Sequence, residues 1–144
     1  MIRKFKDTDI DAVMAIWLNA NIEAHSFIAP EYWKGHFDEV KEMLPRAEIY
    51  ISENSHAVDG FIGLTEDYIA GIFVDRQARA KGIGSELLDY AKKKRERLSL
   101  QVYKKNASAV NFYLNRNFKV ASESLDEQTG EAEYNMLWER RGRL

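Results

Sequence analysis

A mixed α/β fold is predicted for this 144-residue chain: a mainly antiparallel sheet of six or seven strands, about four helices and one parallel strand pair. Three observations carry this reading. Apolar residues recur at helical spacing in four segments and alternate in most of the segments between them. Most of the alternating segments are joined by turns too short for a crossover, so they pair antiparallel. Two strands, Ile69–Val74 and Leu98–Tyr103, are instead separated by a helix-length segment, which makes them parallel neighbours with a right-handed crossover.

Taken in order, Ile2–Phe5 is a short first strand. Thr8 and Asp11 fit a capping box at the start of the first helix, along which Ile10, Val13, Trp17 and Ala20 share a face. Ala24–Pro30 breaks that helix, because the residue before a proline disfavours helical geometry. Glu31–Leu44 is a second helix, with Tyr32, His36, Val40 and Leu44 spaced by four. Glu48–Ser52 alternates, with Ile49 and Ile51 opposite Tyr50. Asn54–His56 is a turn, and Val58–Thr65 is a strand weakened or bulged at Gly60 and Gly63. Glu66 and Asp67 form the turn into the strand Ile69–Val74.

Composition narrows the function. With 21 basic and 23 acidic residues the net charge is −2, so the chain as a whole is no polyanion binder. A nucleic-acid module using Arg76, Arg79, Lys81 and Lys92–Arg97 is disfavoured by that balance. The last of these runs reads as the solvated, dipole-complementing end of a helix. The absence of cysteine excludes disulfides, thiolate metal sites and a cysteine nucleophile, and no metal site is expected. No apolar run approaches the roughly 18 residues of a membrane span. The expectation is a single domain over residues 1–144, cytoplasmic and without a membrane partner, ending in a charged, frayed tail at Glu139–Leu144.

The chemistry concentrates after the strand Ile69–Val74. Asp75–Lys81 is polar and basic, and Gly82-Ile83-Gly84 opens a helix with Ile83, Leu87, Leu88 and Ala91 on one face. A helix start after a glycine turn presents free N–H groups and a positive dipole end to an anion. The letters fit neither common phosphate loop. Lys81 precedes Gly82, where a P-loop has its lysine after the last glycine, and Leu87 occupies the third position of a dinucleotide fingerprint. What remains is Arg-x-x-Gly-x-Gly, from Arg79 to Gly84. A second signature follows one strand later: Asn106-Ala107-Ser108-Ala109-Val110-Asn111-Phe112-Tyr113, ending at Asn117-Phe118. Asn106 is a good N-cap, and Asn117 tolerates the left-handed conformation. Phe118–Ser122 and Tyr134–Trp138 then close the sheet as a hairpin around Glu127–Gly130.

The two motifs, in this order and spacing, resemble those of the GNAT superfamily of N-acetyltransferases. The first is similar to its pyrophosphate-binding turn. The second matches its Asn-x-x-Ala-x-x-Phe-Tyr pattern at Asn106, Ala109, Phe112 and Tyr113, and departs at Asn117, where the family usually has glycine. Ala15-Ile16-Trp17 and Ala24-His25-x-Phe27 further resemble the small bacterial YjaB-like branch. The resemblance covers nearly the whole chain and implies the family fold, with its parallel strand pair splayed around the cofactor. It implies acetyl-CoA as co-substrate, an amine acceptor (a small molecule or a peptide), and allows a homodimer.

Site residues follow from the resemblance. Backbone groups of Arg79, Ala80, Lys81, Gly82, Ile83, Gly84 and Ser85 would hold the pyrophosphate. Main-chain groups of Ile72, Phe73 and Val74 would pair with the pantetheine arm. Asn106 and Phe112 would also contact the cofactor. Tyr113 would protonate the leaving thiolate, a near-balanced transfer for a phenol of ordinary pKa about 10. His25, Phe27 and Tyr68 are acceptor-side candidates. The base stays open among none (an amine already of low pKa), a water chain, Glu66, Asp67 and His25, because Tyr68 stands where some members have a strand glutamate. That gap also leaves open a non-catalytic acyl-CoA-binding or sensing domain.

Overall fold

The computed structural model describes residues 1–140. Its sheet has seven strands in the order β1-β2-β3-β4-β5-β7-β6. In chain order the elements are β1 (Ile2–Lys4), α1 (Ile10–Ala24), α2 (Pro30–Met43), β2 (Glu48–Asn54), β3 (Ala57–Thr65), β4 (Tyr68–Val74), α3 (Ile83–Lys94), β5 (Arg97–Tyr103), α4 (Ala107–Leu114), β6 (Lys119–Asp126) and β7 (Glu131–Glu139). Every strand pair is antiparallel except β4 and β5.

Both faces of the sheet are covered, which explains the dense apolar run of β2. Ile49 and Ile51 pack with Val13, Trp17 and Trp33 of α1 and α2. Tyr50, between them, packs on the other face with Leu87, Leu88 and Ala91 of α3. Leu87 and Leu88 are fully buried, each contributing about 1.5–3 kcal/mol of transfer free energy. From β7, Met136 and Trp138 join the α3 side, with Tyr134 packed against them.

Two local readings are corrected. Thr8 and Asp11 form no capping box. A short 3-10 turn at Asp7–Asp9 precedes α1, and the Asp9 carboxylate reaches back to accept from the Lys6 backbone N–H at 2.8 Å. Asp9 wins because it also receives a two-pronged contact from Arg3, at 2.9 Å on each oxygen, which no capping threonine could offer. The basic run at the end of α3 is also more than a solvated end. Lys92 lies over the rings of Phe118 and Trp138 and donates to the Arg116 carbonyl at 2.6 Å. Arg95 pairs with Glu48 at 2.8 Å. Of the terminal stretch, Glu139 belongs to β7, and Arg140 donates to the Arg95 carbonyl at 2.8 Å; residues 141–144 lie outside the described residues.

Candidate active site

The site begins where β4 leaves β5. These strands pair only at Tyr68↔Ser99 and Ile69↔Leu100. Beyond that point β4 stays with β3, through Ile62↔Ile72, Phe61↔Phe73 and Gly60↔Val74. Gly60 permits this close approach, since a Cβ there would stand 2.7 Å from the Phe73 carbonyl oxygen. The β5-facing edge of Ile72–Val74 is thereby free of strand pairing, and a cleft of about 770 Å³ opens beside it.

The loop at one end of the cleft is shaped by its backbone. Asp75 caps a 3-10 turn at Arg76–Ala78, accepting from the Gln77 N–H at 3.2 Å. Ala80 and Gly82 then take φ of +66° and +79°, the left-handed region that glycine occupies without strain. The first N–H bonded within α3 is that of Glu86, to the Gly82 carbonyl at 3.0 Å. The N–H groups just before it have no helical carbonyl to reach. They sit at the positive end of the helix dipole and face a cleft large enough for an extended ligand, so the residues present fit an anionic cofactor.

The structure brings most of the predicted residues together. Ile72, Phe73 and Val74 line one wall of the cleft; Arg79, Ala80, Gly82, Ile83, Gly84 and Ser85 line its loop end; Asn106, Phe112, Tyr113 and His25 complete it. Lys81 is exposed and outside this lining. Phe27 stands behind His25, edge-on at 5.7 Å between ring centres. Tyr68 lies on the sheet face beyond the cleft, its hydroxyl 3.3 Å from Gln101 Oε1.

Two lining residues carry no sequence signal. Arg116 lies over the Phe112 ring at 3.9 Å and donates through Nε to Ser85 Oγ at 3.1 Å. It is a second cation at the loop end, brought there only by tertiary packing. Glu23, near the end of α1, pairs with Arg79 at 3.1 Å and approaches Arg76 at 3.7 Å. The Arg79 guanidinium is therefore held by a carboxylate at the mouth of the cleft.

Tyr113 is buried and packed edge-on between Phe112 and Phe118, at 5.2 and 5.3 Å. Burial first, and the Tyr68 phenol second, push its pKa well above the ordinary value. No hydrogen bond holds its hydroxyl among the described residues, and the residue borders the cleft. His25, the C-cap of α1, stacks on Trp33 at 5.1 Å. The Asn106 side-chain oxygen accepts from the Ala109 N–H at 3.3 Å, which turns its amide nitrogen toward His25 Nε2, also at 3.3 Å. The network thus assigns the acceptor role to Nε2 and the ring proton to Nδ1. Burial lowers the His25 pKa, and the nearby Asn21 carbonyl offsets this only in part.

The base candidates Glu66 and Asp67 are corrected by position. They turn the chain at the end of β4 where it still pairs with β5, and Arg95 holds them there: it donates to the Glu66 carbonyl at 3.0 Å and lies 3.7 Å from the Asp67 carboxylate. Neither lines the cleft. Among the described residues, no group of three or more metal-ligating side chains is gathered, and no helix is long and apolar enough to cross a membrane.

Residues 45–120, more than half of the chain and including the entire loop and both motifs, match the acetyltransferase (GNAT) domain family. The chain belongs to the GNAT family. It is an acetyl-CoA-dependent N-acetyltransferase. Among its relatives is the peptidyl-lysine N-acetyltransferase YiaC of Escherichia coli K12, 29% identical over 140 residues and covering 96% of each chain. The peptidyl-lysine N-acetyltransferase YjaB of the same organism is 28% identical, over 90% of this chain and 88% of that one. The fold agrees: the solution structure of apo YjaB from Escherichia coli superposes with a TM-score of 0.86 at 26% identity, covering 98% of both chains. This GNAT protein therefore has the splayed β4–β5 pair that the resemblance implied.

Proposed function

We propose that this GNAT enzyme transfers the acetyl group of acetyl-CoA to the side-chain amine of a peptidyl lysine, by direct attack within a ternary complex. The observation that carries the reading is the continuity of the cleft from the amide-rich loop at Arg79–Ser85, along the unpaired edge of Ile72–Val74, to the hydroxyl of Tyr113. The relatives named above as peptidyl-lysine acetyltransferases support the acceptor class.

Each part of the cleft has a task. The loop N–H groups bind pyrophosphate oxygens. A hydrogen bond to a charged group contributes roughly 1.5–3 kcal/mol, so three or four such bonds suffice for micromolar binding. Arg116 and Ser85 add donors at the same end. A backbone N–H on the free edge of β4 polarises the thioester carbonyl as charge develops on its oxygen. Tyr113 gives its proton to the departing sulfur. Burial keeps the phenol protonated, and the same dry pocket raises the basicity of the thiolate that forms beside it, which keeps the transfer near balance.

The test pairs two measurements. Calorimetry with acetyl-CoA reads the loop, and mass spectrometry of lysine-containing peptides reads the transfer. The expected outcome is micromolar binding together with a 42-dalton gain (the mass of an acetyl group less one hydrogen, a chemical constant) on lysine. Binding without acetylation of any lysine peptide would refute the acceptor class.

A further inference from the structure

The face of the sheet opposite α3 carries a second polar cluster that the cleft does not include. Gln101 and Tyr103 of β5 stand across from Asn135 and Glu133 of β7, and Ser122 and Ser124 of β6 stand across from the same two β7 residues. Cross-strand partners share a face, so Glu133 projects beside Tyr103, on the side where α2 packs. Most of this cluster is internally satisfied. Tyr68 donates to Gln101 at 3.3 Å, Gln101 to Asn135 at 3.0 Å, and Asn135 to Ser122 at 3.0 Å. Tyr103 donates to Asp126 at 2.5 Å, and Tyr32 of α2 to Gln128 at 3.0 Å.

Glu133 is the exception. It is half-buried, yet among the described residues no hydrogen bond or ion pair engages its carboxylate. Of the neighbouring lysines, Lys104 lies over the Tyr134 ring on the other face and pairs with Glu123 at 3.3 Å, and Lys105 pairs with Glu131 at 3.0 Å. A second carboxylate, Asp126, stands nearby, and both act on the phenol of Tyr32. Burial, and then Asp126, raise the Glu133 pKa above the ordinary range. Two carboxylates among tyrosines, with no cation, are costly unless a cation arrives from outside. His25, which lines the cleft, packs edge-on against Tyr103 at 5.1 Å, and Tyr103 stands opposite Glu133, so the cluster adjoins the inner end of the cleft.

We infer that Glu133, flanked by Asp126 and the rings of Tyr32, Tyr68 and Tyr103, binds the acceptor's ammonium group and removes its proton. This rests on the acceptor reading above and supplies the base that β4 lacks. The tyrosine faces favour a cation, and the raised carboxylate is a better proton acceptor at neutral pH than an exposed one. In the step, the ammonium gives one proton to Glu133, which passes it to solvent. The amine lone pair forms the C–N bond as the C–S bond breaks, its electron pair staying on sulfur. Tyr113 protonates that sulfur, and the second proton lost by nitrogen restores Tyr113. The net products are the amide, the free thiol and one released proton.

The experiment compares wild type with Glu133→Gln and Glu133→Asp, using a lysine peptide and a set of amines of falling pKa. For the lysine peptide, Glu133→Gln is expected to lower kcat/KM by about 10²-fold, with acetyl-CoA affinity unchanged. The penalty should shrink to about tenfold or less for amines already neutral at pH 7, because they need no base. A merely structural role would give the same penalty for every amine and would overturn the inference, as would a variant indistinguishable from wild type. Should Glu133→Gln fail to fold, the shortened Glu133→Asp is read by the same dependence on amine pKa. Wild type that acetylates no amine while binding acetyl-CoA would overturn the acceptor reading and this inference together; wild type active with an unaffected Glu133→Gln would overturn this inference alone.

Discussion

His25 Nε2 lies 3.3 Å from the side-chain nitrogen of Asn106, so the residue that ends α1 and the residue that caps α4 close the inner end of the cleft together. Because burial lowers the His25 pKa, the ring is neutral in the folded protein at pH 7. An unfolded histidine titrates near 6.5. As pH falls below that value the unfolded chain takes up the proton first, so stability is present above about pH 6.5 and is lost as pH falls toward the folded pKa. Thermal unfolding between pH 7.5 and 5.5 should show this decline, at most about 1.4 kcal/mol per unit. His25→Gln should remove its His25 share; an unchanged decline would contradict the assignment.

Asp9 is the corresponding carboxylate. It is 7% exposed, and the hydrogen bonds from Arg3 hold its pKa below the ordinary value. Its contribution is present above the unfolded carboxylate pKa, near 3.9, and is lost as pH falls through the folded one. Asp9→Asn should cost about 3 kcal/mol in urea unfolding at pH 7, the lower end for a broken buried pair, because Arg3 keeps Glu53 at 2.8 Å. A loss below about 0.5 kcal/mol would mean the pair is solvent-screened.

Much of this fold was legible because its signals are local. The alternation of Glu48–Ser52, the helical spacing from Ile83 to Ala91 and the left-handed Asn117, at φ +71°, all follow from neighbouring residues. The β4–β5 pairing followed from the intervening helix. What escaped reading depends on contacts distant in sequence. Arg116 reaches Ser85 across 31 positions, and the setting of Glu133 beside Tyr103 and Ser124 exists only once β5, β6 and β7 are in register. The start of α1 was misread because the choice between Thr8 and Asp9 was made by Arg3, from a different element. The base candidates Glu66 and Asp67 were adjacent to the motif strand in sequence but at its wrong end in space.

Gly82 tests the loop. A Cβ there would meet nothing within 4 Å, but φ is +79°. Gly82→Ala therefore carries a conformational cost of about 1–2 kcal/mol without a clash. Acetyl-CoA affinity by calorimetry should weaken about tenfold as the loop relaxes away from its binding shape, with little change in kcat at saturation. Unaltered affinity would mean the loop N–H groups do not hold the pyrophosphate.

The most direct test is thiol release from acetyl-CoA with a lysine peptide, running wild type beside Tyr113→Phe. The phenyl ring keeps the packing against Phe112 and Phe118 and removes only the hydroxyl. Turnover should fall by about 10²–10⁴, with acetyl-CoA affinity within about threefold of wild type, which corresponds to about 0.6–0.7 kcal/mol. Turnover equal to wild type would show that the thiolate takes its proton from elsewhere and would contradict the mechanism proposed for this cleft.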